Sequence, residues 1–300
     1  MKKILLSVLC LMMIGMQSLQ AQVAIAALHH EGKVTLFSSA KITEAIDAAV
    51  KGDTIYLSEG VFSGFQIAKG IAVIGSGQQT MISSEIIIGG DSIIEGVVLS
   101  SVHVLGDINL AGPVKGLSIR HCRFVDFSVG VDLDEADISM CQLERLYVSS
   151  NVQSLTVHSS KVKEQEGDAY LGALYYVNCN IAGMSRGRNA ICQNCIISMF
   201  STAHTHVNCL LNASEVETGE NYQNCYFSSE WSFDEDLNCS LDSDALKNNG
   251  WLGSDGTVVG CNGSTAPFTL IPSTPRVTNH SLNVDNKERK LNVTLTIGAN

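Results

Sequence analysis

Several groups of side chains in this 300-residue chain have types and spacings that could carry chemistry. Arg186-Gly187-Arg188, with Lys161 and Lys163 before it, is the only basic concentration in the middle of the chain. It is a place to hold a ligand, and a solvated turn is its plainer reading. Asp132, Asp134, Glu135 and Asp137 crowd one stretch, and Asp234, Glu235 and Asp236 another. Glycoside hydrolysis needs two opposed carboxylates; a single acidic turn is ordinary solvation, with calcium a remote alternative. His204-Thr205-His206 sets two imidazoles on one side of a strand. A metal needs a third ligand and none stands nearby, so solvated or turn-packed histidines are expected. Cys192-Gln193-Asn194-Cys195 is a C-x-x-C without a second pair, a poor basis for zinc. A sugar could stack on Tyr175, Tyr176, Tyr222 or Trp231; Tyr176 and Tyr222 occupy a position filled by Ile119, Ile138 and Val157 earlier and read as core, and Trp231 is the freer candidate. The candidate ligand-binding residues are therefore Lys161, Arg186, Arg188 and Trp231. No catalytic residue, metal ligand or cofactor is assigned.

The elements that must position these residues are repeats. From Leu117 to Leu241 a short phrase recurs around a small anchor: Cys122, Cys141, Ser160, Cys179, Cys195, Cys209, Cys225 and Cys239, the last five each preceded by Asn. The first four anchors are 19 residues apart and the next follow at 16, 14, 16 and 14. Two positions after each stands an apolar residue: Phe124, Leu143, Val162, Ile181, Ile197, Leu211, Phe227, Leu241. A fixed phrase at short period marks a solenoid whose coils stack. Coils of 19 to 24 residues accommodate three short strands with turns, and similar phrases run back through Val97–Val102 and Val73–Ser76. At 14 to 16 residues either the coils are shortened or two anchors fall on different faces of one coil. The expected fold is all-β, a right-handed parallel β-helix.

Stacked, the anchors form an interior ladder suited to small buried thiols; disulfides are a second reading and metal a third. Nine cysteines remain if Cys10 is removed with the leader, an odd number that leaves at least one unpaired in a monomer. Lys2 and Lys3, an apolar run to Met16, and Leu19-Gln20-Ala21 read as a signal peptide over residues 1–21, too short to span a membrane comfortably. Its loss takes the formal charge of −11 to −13. An acidic surface disfavours nucleic acid and anionic lipid, and makes a highly anionic polysaccharide a less natural ligand. The product is expected to be bacterial, exported to the medium or cell surface, not membrane-spanning, and a monomer.

After a strand at Lys33–Phe37, Ile42, Ala45, Ile46, Ala49 and Val50 share one helical face over residues 39–51, with Ser39 as cap and Gly52 as terminator. Such a helix covers the open end of the first coil. The helix, followed by Gly52-Asp53-Thr54-Ile55-Tyr56-Leu57 and Gly60-Val61-Phe62, then Ile71-Ala72-Val73-Ile74-Gly75-Ser76-Gly77, resembles the start of right-handed parallel β-helix proteins of the pectin-lyase-like superfamily, in particular secreted ones of Bacteroides-type bacteria. Trp251 to Gly263, with Asp255-Gly256-Thr257, resembles the closing turn of the same secreted proteins. The resemblance covers about residues 28–265. It implies that a lyase site, with Arg or Lys as base and carboxylates for calcium, would have to lie at Lys161, Arg186 and Arg188. The family's hydrolase and pectate-lyase motifs are absent from the chain. The resulting division is 1–21 signal peptide, 22–265 β-helix with its cap, and 266–300 a hairpin segment around Asp285–Lys290. The expected function is a non-catalytic protein binding carbohydrate or a surface partner; a polysaccharide lyase or glycoside hydrolase is the alternative.

Overall fold

The structure, a computed structural model, describes residues 24–148, 152–167, 172–185, 190–215, 219–272, 276–285 and 290–298. The proposed leader, 1–21, lies outside them. Two long parallel sheets, of 12 and 13 strands among the described residues, wrap a common interior, and a 3-stranded sheet adds a third face to part of it. This is the β-solenoid that the repeat predicts.

Each coil passes from the first sheet to the second through one residue held at positive φ. Ser101, His121, Met140, Ser159, Asn178, Asn194, Asn208 and Asn224 all have φ between 45° and 60°. Asn tolerates this region best among residues with a Cβ, which accounts for the Asn before the later anchors. The corner turns the next residue, the anchor, into the interior. There the Sγ of Cys141, Cys179 and Cys195 donates to the carbonyl two residues back at 3.2 to 3.3 Å. Ser160 Oγ makes the same bond to His158 O at 2.8 Å. The N–H of Cys141 donates to Ser160 Oγ at 3.0 Å, and that of Cys179 to Cys195 Sγ at 3.4 Å. The anchor must therefore be small and able to donate, which suits Cys at most of these positions and Ser at 160. The nine cysteines of the described residues are all unpaired thiols.

The register stacks Phe62, Ile82, Val104, Phe124, Leu143, Val162, Ile181, Ile197, Leu211 and Phe227 in one ladder. All of these but Phe227 are buried. Each such side chain contributes about 1.5–3 kcal/mol of gross burial. The facing ladder runs Ile119, Ile138, Val157, Tyr176, Cys192, His206, Tyr222. Tyr176 is fully buried and Tyr222 packs against the core, as their position in the repeat predicts.

His206 occupies the same ladder and His204, which closes the turn from Ser201, is equally buried, so neither is solvated, and the turn-packed expectation is corrected for His206. His206 stacks on Tyr222 with ring centroids 5.6 Å apart, and its Nε2 meets Ser201 O at 3.1 Å. His204 Nδ1 accepts from Ala190 N at 3.2 Å. A ring that replaces an aliphatic rung fills a coil whose cross-section has changed.

That change is the loss of the third face. Ile94–Glu95, Val114–Lys115 and Leu133–Asp134 form the third sheet, and Val152 bridges to Leu133. No later residue joins it among those described. Cys195, Cys209 and Cys225 still each begin their own coil, so the 14- and 16-residue spacings are shortened coils.

At the N-terminal end, β1 (Ile25–His30) pairs antiparallel with both β2 (Lys33–Ser38) and β3 (Thr54–Leu57), the first parallel strand, and so covers its edge. A 3-10 turn at Ser39–Lys41 leads into α1 (Ile42–Ala48), which buries Ile42, Ala45 and Ile46. At the other end the expected boundary moves. The last parallel strand is Tyr226–Phe227, and Asn238-Cys239 is not an eighth coil: Cys239 bridges antiparallel to Phe233. The Asp234 carboxylate accepts the N–H of Asp236 and of Asn238, winding that stretch into a tight turn. Residues 228–272 then run back along the outside of the coils, from Asn212 to Gly77. The strands Arg276–Asp285 and Lys290–Gly298 form the expected antiparallel hairpin.

Candidate functional site

The outward side chains that open the second-sheet strands form a column: Arg123, Gln142, Lys161, Asn180, Ile196, Leu210, Tyr226. Its chemistry changes from polar to apolar after Asn180, and the returning segment covers both parts, hydrogen-bonded to Lys161 and Asn180 and packed on Ile196 and Leu210. Ile196 and Leu210 pack with Trp231, Leu246 and Val259 in a second small core. Asn180 Nδ2 donates to Leu237 O at 2.9 Å, and its Oδ1 accepts from Cys261 N at 3.0 Å. Lys161 Nζ donates to Asp236 O and Asn238 Oδ1 at 3.0 and 2.6 Å and sits over the Phe268 ring. The approach is close: a Cβ on Gly260 would lie 2.6 Å from Asn180 Oδ1, and one on Gly253 2.7 Å from the Asn194 side chain. The Asp-Gly-Thr turn is thus the buttress of this segment.

Just beyond the covered column the segment leaves a cleft of about 750 Å³. Its floor is the next outward positions of successive coils, Glu144, Lys163, Ala182, Ser198 and Asn212, together with Met199. Its wall is Phe233 to Leu237. Met199 is 66% exposed and lies across the bare backbone of its register partner Gly183. Phe233 stands edge-on against Trp231, with centroids 5.1 Å apart.

The charges of the cleft are largely committed to one another. Lys163 donates to Glu144, and this bond holds its ammonium above the usual lysine range. Arg123 faces Asp236 at 3.7 Å. Hydrogen bonds from the Asn238 side chain and backbone hold the Asp234 carboxyl below its usual value, so it stays ionised. Glu235 lies near enough to Lys163 to add to its field, yet has no hydrogen-bond or ion-pair partner among the described residues.

Of the residues singled out from sequence, Lys161 is buried behind the cleft wall and holds it in place. Trp231, expected to be the free ring, is 4% exposed; it supports Phe233 and faces no solvent. Arg186 and Arg188 lie outside the described residues. Lys163 and the acidic turn at 234–236, read separately as solvated, meet in one cleft. Arg123 and Glu144 were missed. The doublets Ile196-Ile197, Leu210-Leu211 and Tyr226-Phe227 carried a signal for the covered face: two consecutive apolar residues on a strand mean that both of its faces are covered.

A second polar cluster sits on the outer face of the first sheet. Asp137 accepts from Ser139 Oγ at 3.2 Å, meets His158 Nε2 at 2.9 Å and lies 3.7 Å from Arg120 Nε. Hydroxyl and imidazole both meet the carboxylate and not each other, so the imidazole does not stand against the hydroxyl as in a nucleophilic triad. Among the described residues no group of three or more His, Cys, Asp or Glu is arranged to hold a metal ion. No helix among them is long and apolar enough to cross a membrane.

Fold and site together define a parallel β-solenoid with a walled cleft on its outer face. No protein-family model matches the chain, and no curated protein matches it.

Proposed function

We propose that this is a secreted or cell-surface β-helix protein that binds carbohydrate in the cleft between residues 144–212 and 233–237, without cleaving it. The observation that carries the reading is the make-up of the cleft: an exposed thioether floor, a supported aromatic edge, and amide, hydroxyl and charged groups at its rim. Sugar sites combine these features, with apolar surface for the C–H face of the ring and fixed polar groups for its hydroxyls. Against catalysis, Arg123 and Lys163 are both tied to carboxylates, and Asp234 is held ionised where a general acid needs a raised carboxyl.

The reading includes export by removal of residues 1–21, a monomeric state, and membership of the secreted pectin-lyase-like proteins of Bacteroides-type bacteria, on the motifs at 52–77 and 251–263. The placement of the carboxylates in the cleft also allows a second reading. Glu144 on the floor and Asp234 to Asp236 on the wall place carboxylates on two sides of one cleft, which is what a glycoside hydrolase of this fold requires.

The test is a screen of the chain lacking residues 1–21 against neutral and charged polysaccharides, reading retention and new reducing or unsaturated ends. Retention without products, weakened by Ser198→Trp at unchanged melting temperature, is the expected outcome. Product formation lost in Glu144→Gln or in Arg186→Ala with Arg188→Ala overturns the non-catalytic reading. Silence in both assays turns it toward a protein partner.

A further inference from the structure

Resting on the carbohydrate-binding reading, we propose that the cleft selects saccharides bearing a free, protonated amine over polyuronates and over N-acetylated or neutral chains. The cleft is lined by two cations, Arg123 and Lys163, and by four carboxylates, Glu144, Asp234, Glu235 and Asp236. Arg123 is matched to Asp236, and Lys163 to Glu144. Neither cation is left to receive the carboxylate of a uronic acid.

Lys161, behind the wall and without a carboxylate of its own, offsets Asp234, so one negative charge, that of Glu235, remains unmatched. Asp234 spends its hydrogen-bonding capacity on the turn it holds, accepting from the N–H groups of Asp236 and Asn238 and from Asn238 Nδ2. Glu235 alone has an uncommitted carboxylate at the mouth of the cleft. A uronate brought to this place would add a second unmatched negative charge beside Glu235. A primary ammonium supplies the missing charge and donates directly to Glu235. The hydroxyls of the same ring meet Asn212 and Ser198, and its C–H face lies on Met199. The whole chain, at a formal −11, favours approach of a polycation over that of a polyanion.

The experiment measures affinity of the chain lacking residues 1–21 for glucosamine oligomers, the same oligomers N-acetylated, and oligogalacturonate, at mildly acidic pH and two salt concentrations. Binding of the amine oligomers, weakened by salt, with the acetylated and uronate oligomers weaker, is expected. Glu235→Gln should cut affinity for the amine oligomer about three- to fivefold, the worth of one partly exposed ion pair, and leave the acetylated oligomer unchanged. Equal binding of amine and acetylated oligomers, or stronger binding of uronate, overturns the amine selectivity and leaves carbohydrate binding intact. An amine affinity that Glu235→Gln does not move overturns the assignment of Glu235. Binding of none of the three, nor of any glycan in the wider screen, overturns the carbohydrate reading itself.

Discussion

The ammonium of Lys161 lies 2.6 Å from Oδ1 of Asn238, a residue 77 positions later, and it fastens the returning C-terminal segment to the coils. Lys161 is 5% exposed, so its loss leaves Asp236 O and Asn238 Oδ1 without their donor under the wall of the cleft. Lys161→Met is expected to cost about 1–3 kcal/mol. Limited proteolysis should then cut within 228–272 well before the coils. An unchanged melt with no new cleavage would show that the segment is held by its apolar contacts alone.

Gln165 is fully buried in the interior ladder, in register with Leu146 and Met184, and neither its Nε2 nor its Oε1 has a hydrogen-bond partner among the described residues. Gln165→Met keeps the length of the side chain and removes the desolvated amide. The variant should be more stable by about 1–3 kcal/mol, read as a higher urea midpoint at unchanged slope. A loss of stability would mean that the amide is satisfied by internal water.

Asn208 holds the corner before Cys209 at φ 50°. Asn208→Gly should change stability by no more than a few tenths of a kcal/mol, whereas Asn208→Val should lose about 1–2 kcal/mol. Equal effects of the two would remove backbone strain as the reason for Asn at this place.

Ser160 takes the Cys position and uses its hydroxyl twice, donating to His158 O and accepting from Cys141 N. Ser160→Ala abandons both bonds in a fully buried site and should cost about 1–3 kcal/mol. Ser160→Cys can form both and should cost clearly less. Thermal melts of the two variants side by side decide this.

His30 and Asp53 tie the N-terminal hairpin to the first coil through a 2.8 Å contact. The hydrogen bond to Asp53 raises the His30 pKa. Asp53 is lowered, first by the Val50 N–H and then by His30. The raised His30 contributes stability in full below its unfolded value of about 6.5, fading as pH climbs through the higher folded value. The lowered Asp53 contributes above its unfolded value of about 3.9, fading as pH falls through the lower folded one. Both contributions are therefore complete only between about pH 4 and 6.5. Urea midpoints across pH should show this plateau in the native chain. In His30→Gln the decline on the alkaline side of the plateau should disappear; if it persists, another group is responsible.

The solenoid was legible in the sequence because each coil repeats the same local requirements. A residue able to adopt positive φ, a small donor turned inward, and an apolar side chain two positions on are all demands made within five consecutive residues, and they recur at a visible period. The terminal hairpin and the capping helix were legible for the same reason, as patterns of alternation and of 3.6-residue spacing. What only the tertiary structure decided is where the repetition stops and what lies over it. Asn238-Cys239 has the phrase of a coil, but Asp234 captures its backbone into a turn, a competition between two local arrangements that the phrase alone does not weigh. His206 sits in the core because Tyr222 and Phe200 close around it. The cleft was out of reach of any local reading. It joins Glu144 and Lys163 to Asp234 and Glu235, groups about 70 to 90 residues apart in sequence, through a segment whose path is set by Asn180, Lys161 and the second core. Side chains that meet only because a chain doubles back share no period, and their charges acquire meaning only when it has done so.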